Sequence, residues 1–164
     1  MVWIIVSVVV VGGLAALLIL NQVTANKRMR IAMANGEIIQ RPPRYEAMME
    51  TFTLRAMDPK AVVQAVEAID YARMEKVSMR YAPEKSSFFF TGRAKIGETV
   101  LWNARLTYLD ANGEWMRYCF LFMNWPTNLK VLSMNQLLTA IEKTFLALDP
   151  QTSVQTEMQK VTVN

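Results

Sequence analysis

Residues 2–20 run through Val, Ile, Leu, Ala, Gly and Trp with one polar side chain, Ser7, among them. As a helix, these nineteen residues extend roughly 28 Å, close to the thickness of a bilayer's hydrocarbon core. Each aliphatic residue contributes roughly −0.3 to −0.6 kcal/mol toward insertion, which outweighs the small costs of Ser7, Gly12 and Gly13. The run is therefore expected to cross a membrane once, as a signal-anchor, with Trp3 at one interface. Residues 1–25 are assigned to this anchor.

Cations follow the run and none precedes it. Lys27, Arg28 and Arg30, with Arg41 and Arg44 further on, are opposed only by Glu37. Positive flanks stay on the cytoplasmic side, so the expected orientation is N-out with the remainder of the chain in the cytoplasm. Lys27, Arg28 and Arg30 are placed at the membrane surface, where each cation adds about 1 kcal/mol against anionic lipid. The rival reading is a cleaved signal peptide, because Val23, Thr24 and Ala25 offer a small-residue cleavage pattern. The length of the run and the missing cation ahead of it weigh against that reading. Gly12 and Ala16 are spaced for close approach of two helices, which leaves homo-oligomerisation through the anchor open. Small residues are common in membrane helices, however, and composition is the simpler account.

Of the 164 residues, a basic juxtamembrane linker takes residues 26–44, and residues 45–164 remain for one soluble α+β domain. That length can hold a core without disulfides or metals. The lone Cys119 rules out an intramolecular disulfide, and the absence of histidine removes the commonest general base and metal ligand. A net charge of +4 invites a nucleic-acid partner, but much of the excess lies beside the apolar run and no RNP-type motif is present. Nucleic acid is not expected.

Periodicity orders the domain. Asn35-Gly36 and Pro42-Pro43 interrupt any pattern over residues 31–44, which read as a connector. Residues 47–56 alternate as a first strand, with Met49, Thr51 and Thr53 on one side and Met48, Phe52 and Leu54 on the other. Asp58-Pro59 starts a helix whose apolar stripe is Val62, Val66, Ile69 and Ala72. A strand follows over residues 86–93, in which Phe88, Phe89 and Phe90 imply two covered faces, or one covered and one that binds a partner. Asp110-Ala111-Asn112-Gly113 predicts a type I turn with a bulge at Gly113. That turn pairs Tyr108 with Met116, Leu106 with Tyr118, Ala104 with Phe120 and Trp102 with Phe122 on one face. Ser133 and Gln136 are spaced as a capping box for a second helix carrying Leu137, Leu138, Ile141, Phe145 and Leu148, ended by Asp149-Pro150. The tail over residues 152–163 alternates as an edge strand. The expected whole is a single transmembrane helix followed by a small antiparallel sheet packed with two helices.

Chemistry is sparse. Phosphate-binding glycine loops, a nucleophile elbow, paired cysteines and calcium-loop spacing are all missing from the sequence. Cys119, opposite Arg105 in the expected register, reads as packing rather than as a nucleophile. No catalytic residue, metal ligand or cofactor is assigned. The expected function is a membrane-tethered, non-enzymatic interaction or accessory domain, a subunit or assembly partner of a membrane complex. Alternatives are an apolar-ligand binder, with Trp102, Phe120 and Phe122 lining a cavity under the second helix, and a carboxylate- or cysteine-based enzyme. With one hairpin face claimed by the core, Arg105, Trp115, Arg117 and Trp125 are left as the expected contacts for a protein partner.

Overall fold

The structure is a computed structural model that describes residues 23, 24, 26–126 and 131–159. Among the described residues the chain is α+β, with a six-stranded antiparallel sheet and three α-helices, and it divides into two compact units after Ile38. Among the described residues no helix is long and apolar enough to cross a membrane. The apolar run of residues 2–20 lies outside them.

In the first unit, residues 26–34 are helical (α1). Gly36, at φ 69°, ends α1: its N–H donates to the Met33 carbonyl and that of Glu37 to the Ala32 carbonyl, the paired bonds of a Schellman stop.

The second unit holds strands β1 (Met48–Arg55), β2 (Val77–Ala82), β3 (Ser87–Arg93), β4 (Val100–Ala111), β5 (Trp115–Asn124) and β6 (Ser153–Met158), in spatial order β2-β3-β4-β5-β1-β6. Helices α2 (Pro59–Glu67) and α3 (Leu132–Leu148) pack on one face. Asp58 caps α2 by accepting the Lys60 amide at 2.9 Å, and Pro59 fills the first turn where its missing N–H costs nothing.

The core face follows from alternation. Phe52, Leu54, Phe88, Phe90, Trp102, Ala104, Leu106, Met116, Tyr118, Phe120 and Phe122 meet Val62, Val66, Leu137, Leu138, Ile141 and Phe145. Phe52 stacks on Phe145 at 4.7 Å, and Phe122 meets Trp102 and Phe120 edge-on at 5.8 and 5.1 Å. Each large side chain buried here contributes roughly 1.5–3 kcal/mol, so these rings dominate the domain's stability.

Three local expectations are corrected. The hairpin pairs Ala104 with Phe122, Leu106 with Phe120 and Tyr108 with Tyr118, two residues away from the register that the turn implied. Its tip is Asn112-Gly113-Glu114-Trp115, where Asn112 Oδ1 accepts the amides of Glu114 and Trp115 at 3.1 Å; this turn pairs Ala111 with Met116, three residues off the expected register, and a one-residue bulge at Leu109 brings the offset to two. A slip of two preserves the side-chain period, so every core residue keeps its face. Ser133 does not cap α3, which begins after Val131 without a side-chain cap. Its hydroxyl accepts the Trp102 indole N–H at 3.2 Å, because a buried N–H without an acceptor is costly. Finally, residues 77–82 form β2, which the periodicity reading passed over.

Two glycines are expected to behave differently. Gly113 has φ 88° and open space around its Cα, so Gly113→Ala should cost about 1 kcal/mol of backbone strain. A Cβ on Gly92 would overlap the indole of Trp102, so Gly92→Ala should destabilise by about 2 kcal/mol or more. Denaturant melts of the two variants check both; equal midpoints would reject the distinction.

Candidate functional site

The sheet's two faces carry different chemistry. On the outer face, opposite α2 and α3, the register sets Arg80, Phe89, Arg105, Leu121, Met49 and Glu157 in one row across all six strands. The Arg80 guanidinium lies 5.3 Å and the Lys85 ammonium 5.8 Å from the centre of the Phe89 ring, so this phenylalanine is flanked by cations while Phe88 and Phe90 serve the core.

Of the expected partner contacts, Arg105, Trp115 and Arg117 share this outer face, and Trp125 does not join them. Arg117 lies 5.3 Å from the Trp115 ring and its Nε donates to Asp110 at 2.8 Å, with a second bond from Nη2 to the same carboxylate. That pairing holds the exposed Asp110 carboxyl below the usual range. Arg105 faces Phe89 and Leu121, with its Nε buried and unpaired. Trp125 packs, half-buried, against the hydrophobic core. Lys27, Arg28 and Arg30 are exposed on α1. Cys119 stands across from Thr107 rather than Arg105, and burial pushes its thiol up, away from the thiolate a nucleophile needs. Trp102, Phe120 and Phe122 fill space against one another, each 0–1% exposed.

A second constellation was not read from the sequence. Arg41, counted among the linker cations, has its side chain only 7% exposed and sits against β1 and α3. Its Nη1 and Nη2 fork onto Glu142 at 2.6 Å each, Nη1 also reaches Glu50 at 3.4 Å, Nη2 reaches Thr139 at 3.2 Å and Nε reaches Asn135 at 3.2 Å. All five N–H donors of the guanidinium are engaged. Asn135, Thr139 and Glu142 fall on one stripe of α3 by their spacing of four and three, and Asn135 Nδ2 donates to the Ile39 carbonyl at 2.9 Å. Glu50 occupies a core-facing position of β1 beside Phe52 and Leu54, which the alternation reading left out.

Two carboxylates thus share one guanidinium almost out of water. Burial first, then the repulsion of Glu142, push the Glu50 carboxyl up to about 7, against the smaller pull of Arg41. Glu50 Oε2 is buried with no donor. Among the described residues no cluster of three or more carboxylate, thiol or imidazole groups is placed to hold a metal ion. No protein-family model matches the chain, and a search of curated proteins finds no match either.

Removing Arg41 strands two buried carboxylates. Arg41→Ala should therefore lower stability by about 3 kcal/mol or more, read from chemical denaturation near neutral pH. The pH profile follows from opposed shifts. Glu50 is raised in the folded state from 4.5 to about 7, so its stabilisation is complete below pH 4.5 and is lost as pH rises toward 7. Asp149, whose carboxylate accepts the amides of Arg55 and Gln151, lies below its ordinary 3.8, so its contribution is lost as pH falls through that range. Melting temperature should peak in mildly acidic buffer and fall by several degrees toward pH 8. In Glu50→Gln the alkaline decline should be absent.

Proposed function

We propose that this chain is a membrane-tethered, non-enzymatic interaction domain, acting as a subunit or assembly partner of a membrane complex. Residues 2–20 are the single transmembrane anchor, with the N-terminus outside and the folded domain in the cytoplasm. Lys27, Arg28 and Arg30 lie at the membrane surface. The anchor assignment rests on the uninterrupted apolar run and the cations behind it.

The observation that carries the interaction reading is the outer sheet face. Across β2, β3 and β4 it carries Ser78, Arg80, Phe89, Thr91, Arg93, Asn103, Arg105 and Thr107, and the β4 carboxylate at its end, Asp110, is held by Arg117. A face with guanidinium and aromatic groups in a row has the composition of binding hot spots. Trp115 and Arg117 extend it along β5.

Two experiments test this. Trp115 and Arg117 replaced together by Ala should abolish co-purification of the partner from cross-linked membranes and shift the melting midpoint little. The Asp110 pair they remove is exposed, and such pairs contribute at most about 1 kcal/mol. A folded double variant that keeps every partner rejects the face. For orientation, Cys119→Ala with Glu84→Cys places the single thiol at an exposed position. A membrane-impermeant maleimide should modify it only after permeabilisation; modification in intact cells rejects the cytoplasmic placement.

A further inference from the structure

We propose that Arg41, Glu50 and Glu142 form a proton-sensitive clasp, which fastens residues 39–47 onto α3 and β1 while Glu50 is protonated and loosens them when it ionises. The proposal does not depend on the membrane reading. It rests on how the chain enters the domain.

Residues 39–47 are tied down at few points, and the strongest is the guanidinium. The Ile39 carbonyl accepts from Asn135, and Arg41 makes its five donor contacts to β1 and α3. Pro42 and Pro43 are exposed, and neither can offer an amide proton. Arg44 then takes a left-handed conformation, φ 62°, before the Tyr45 ring rests edge-on against Phe122 at 6.2 Å. The Ala47 carbonyl accepts the Gln159 amide. Between Ile39 and Tyr45, Arg41 is the only residue whose side chain is buried in the domain.

The charge count sets the sensitivity. With both carboxylates ionised the cluster holds two negative charges against one positive, at side-chain exposures of 8% for Glu50, 15% for Glu142 and 7% for Arg41. Arg41 has no sixth N–H for Glu50 Oε2, which is left buried without a donor. One proton corrects both faults: neutral Glu50 becomes a donor within reach of Glu142, and the remaining charges balance. Among the described residues no other charge is seen to act on Glu50. Arg41 from the strap and Glu142 from α3 are the charged groups that act on Glu50, and its cross-strand neighbours on β5 and β6 are Phe120 and Thr156. Asn135 and Thr139 are neutral. Tyr45 stays protonated, because burial and Glu46 raise its hydroxyl far above the range in question. Loss of the proton thus puts like charges together on the surface that grips Arg41.

Amide hydrogen exchange of the full chain in detergent micelles tests the clasp, read on peptides covering residues 39–47 and converted to protection factors at pH 6 and pH 8. Wild-type protection over this segment should drop about tenfold or more at pH 8, while β1 and α3 stay protected. In Glu50→Gln, whose amide is a permanent donor without charge, protection should be high at both pH values. The infrared band of a protonated carboxyl should disappear from the wild type over the same interval, a reading that needs no variant, and be missing throughout from Glu50→Gln with β1 and α3 still protected. Protection that does not change with pH, a parallel loss across β1 and α3, or a carboxyl band unaffected by Glu50→Gln would each overturn the proposal.

Discussion

A single guanidinium ties together three parts of the second unit. Arg41 comes from the segment leading into the sheet, Glu50 from the first strand and Asn135, Thr139 and Glu142 from the long helix, so the geometry of each is tied to the other two. An apolar contact would tolerate a small rotation of α3. A forked pair with five engaged donors does not, and this fixes both the rotation of α3 and the point where the chain joins β1. Burying Glu50 and Glu142 side by side in turn depends on Arg41, the cation that both contact. The cluster thus marks a region of the core side where electrostatics, not ring packing, sets the arrangement.

Away from that point, the fold obeys sidedness. Six strands present one face to α2 and α3, and the residues meeting there are the aromatic and aliphatic members of each alternating run. The outer face keeps the other half of the alternation, which is why Phe89 lies among cations while Phe88 and Phe90 do not. The interaction surface we propose is thus a by-product of strand period, with arginines and Phe89 set among short polar residues such as Ser78, Thr91, Asn103 and Thr107.

The same sidedness explains what could be read from the sequence. Which hairpin residues face the core was legible, because a period of two survives an even shift, whereas the register itself was not, because the turn closes at Asn112 instead of Asp110 and the Leu109 bulge leaves no compositional mark. β2 was readable in principle, since Val77, Met79 and Tyr81 alternate with Ser78 and Arg80. The α3 cap misled because Ser133 suits two uses, and only the position of Trp102 decides between them. The Arg41 cluster joins residues 9, 98 and 101 positions apart, so no local window contains it. Its one local trace is an acidic residue, Glu50, at an inward strand position, which calls for a partner from somewhere. Arg105, Trp115 and Arg117 were correctly grouped on a face by parity alone, but Trp125 follows the end of β5, where parity no longer applies.

Strand order has a kinetic consequence. β1 lies between β5 and β6, so the first strand made by the ribosome finds its neighbours only after residues 115–124 and 153–158 have followed. The β2-β3-β4-β5 meander can pair as it emerges, each strand beside the last, but Phe52 and Leu54 must wait through most of synthesis with their apolar face uncovered. Closing loops of that length is entropically slow, and an unpaired apolar strand is the form in which chains find the wrong partner. For this protein the interval between synthesis of the first strand and the last is the time of greatest exposure to aggregation, and its length is written into the topology.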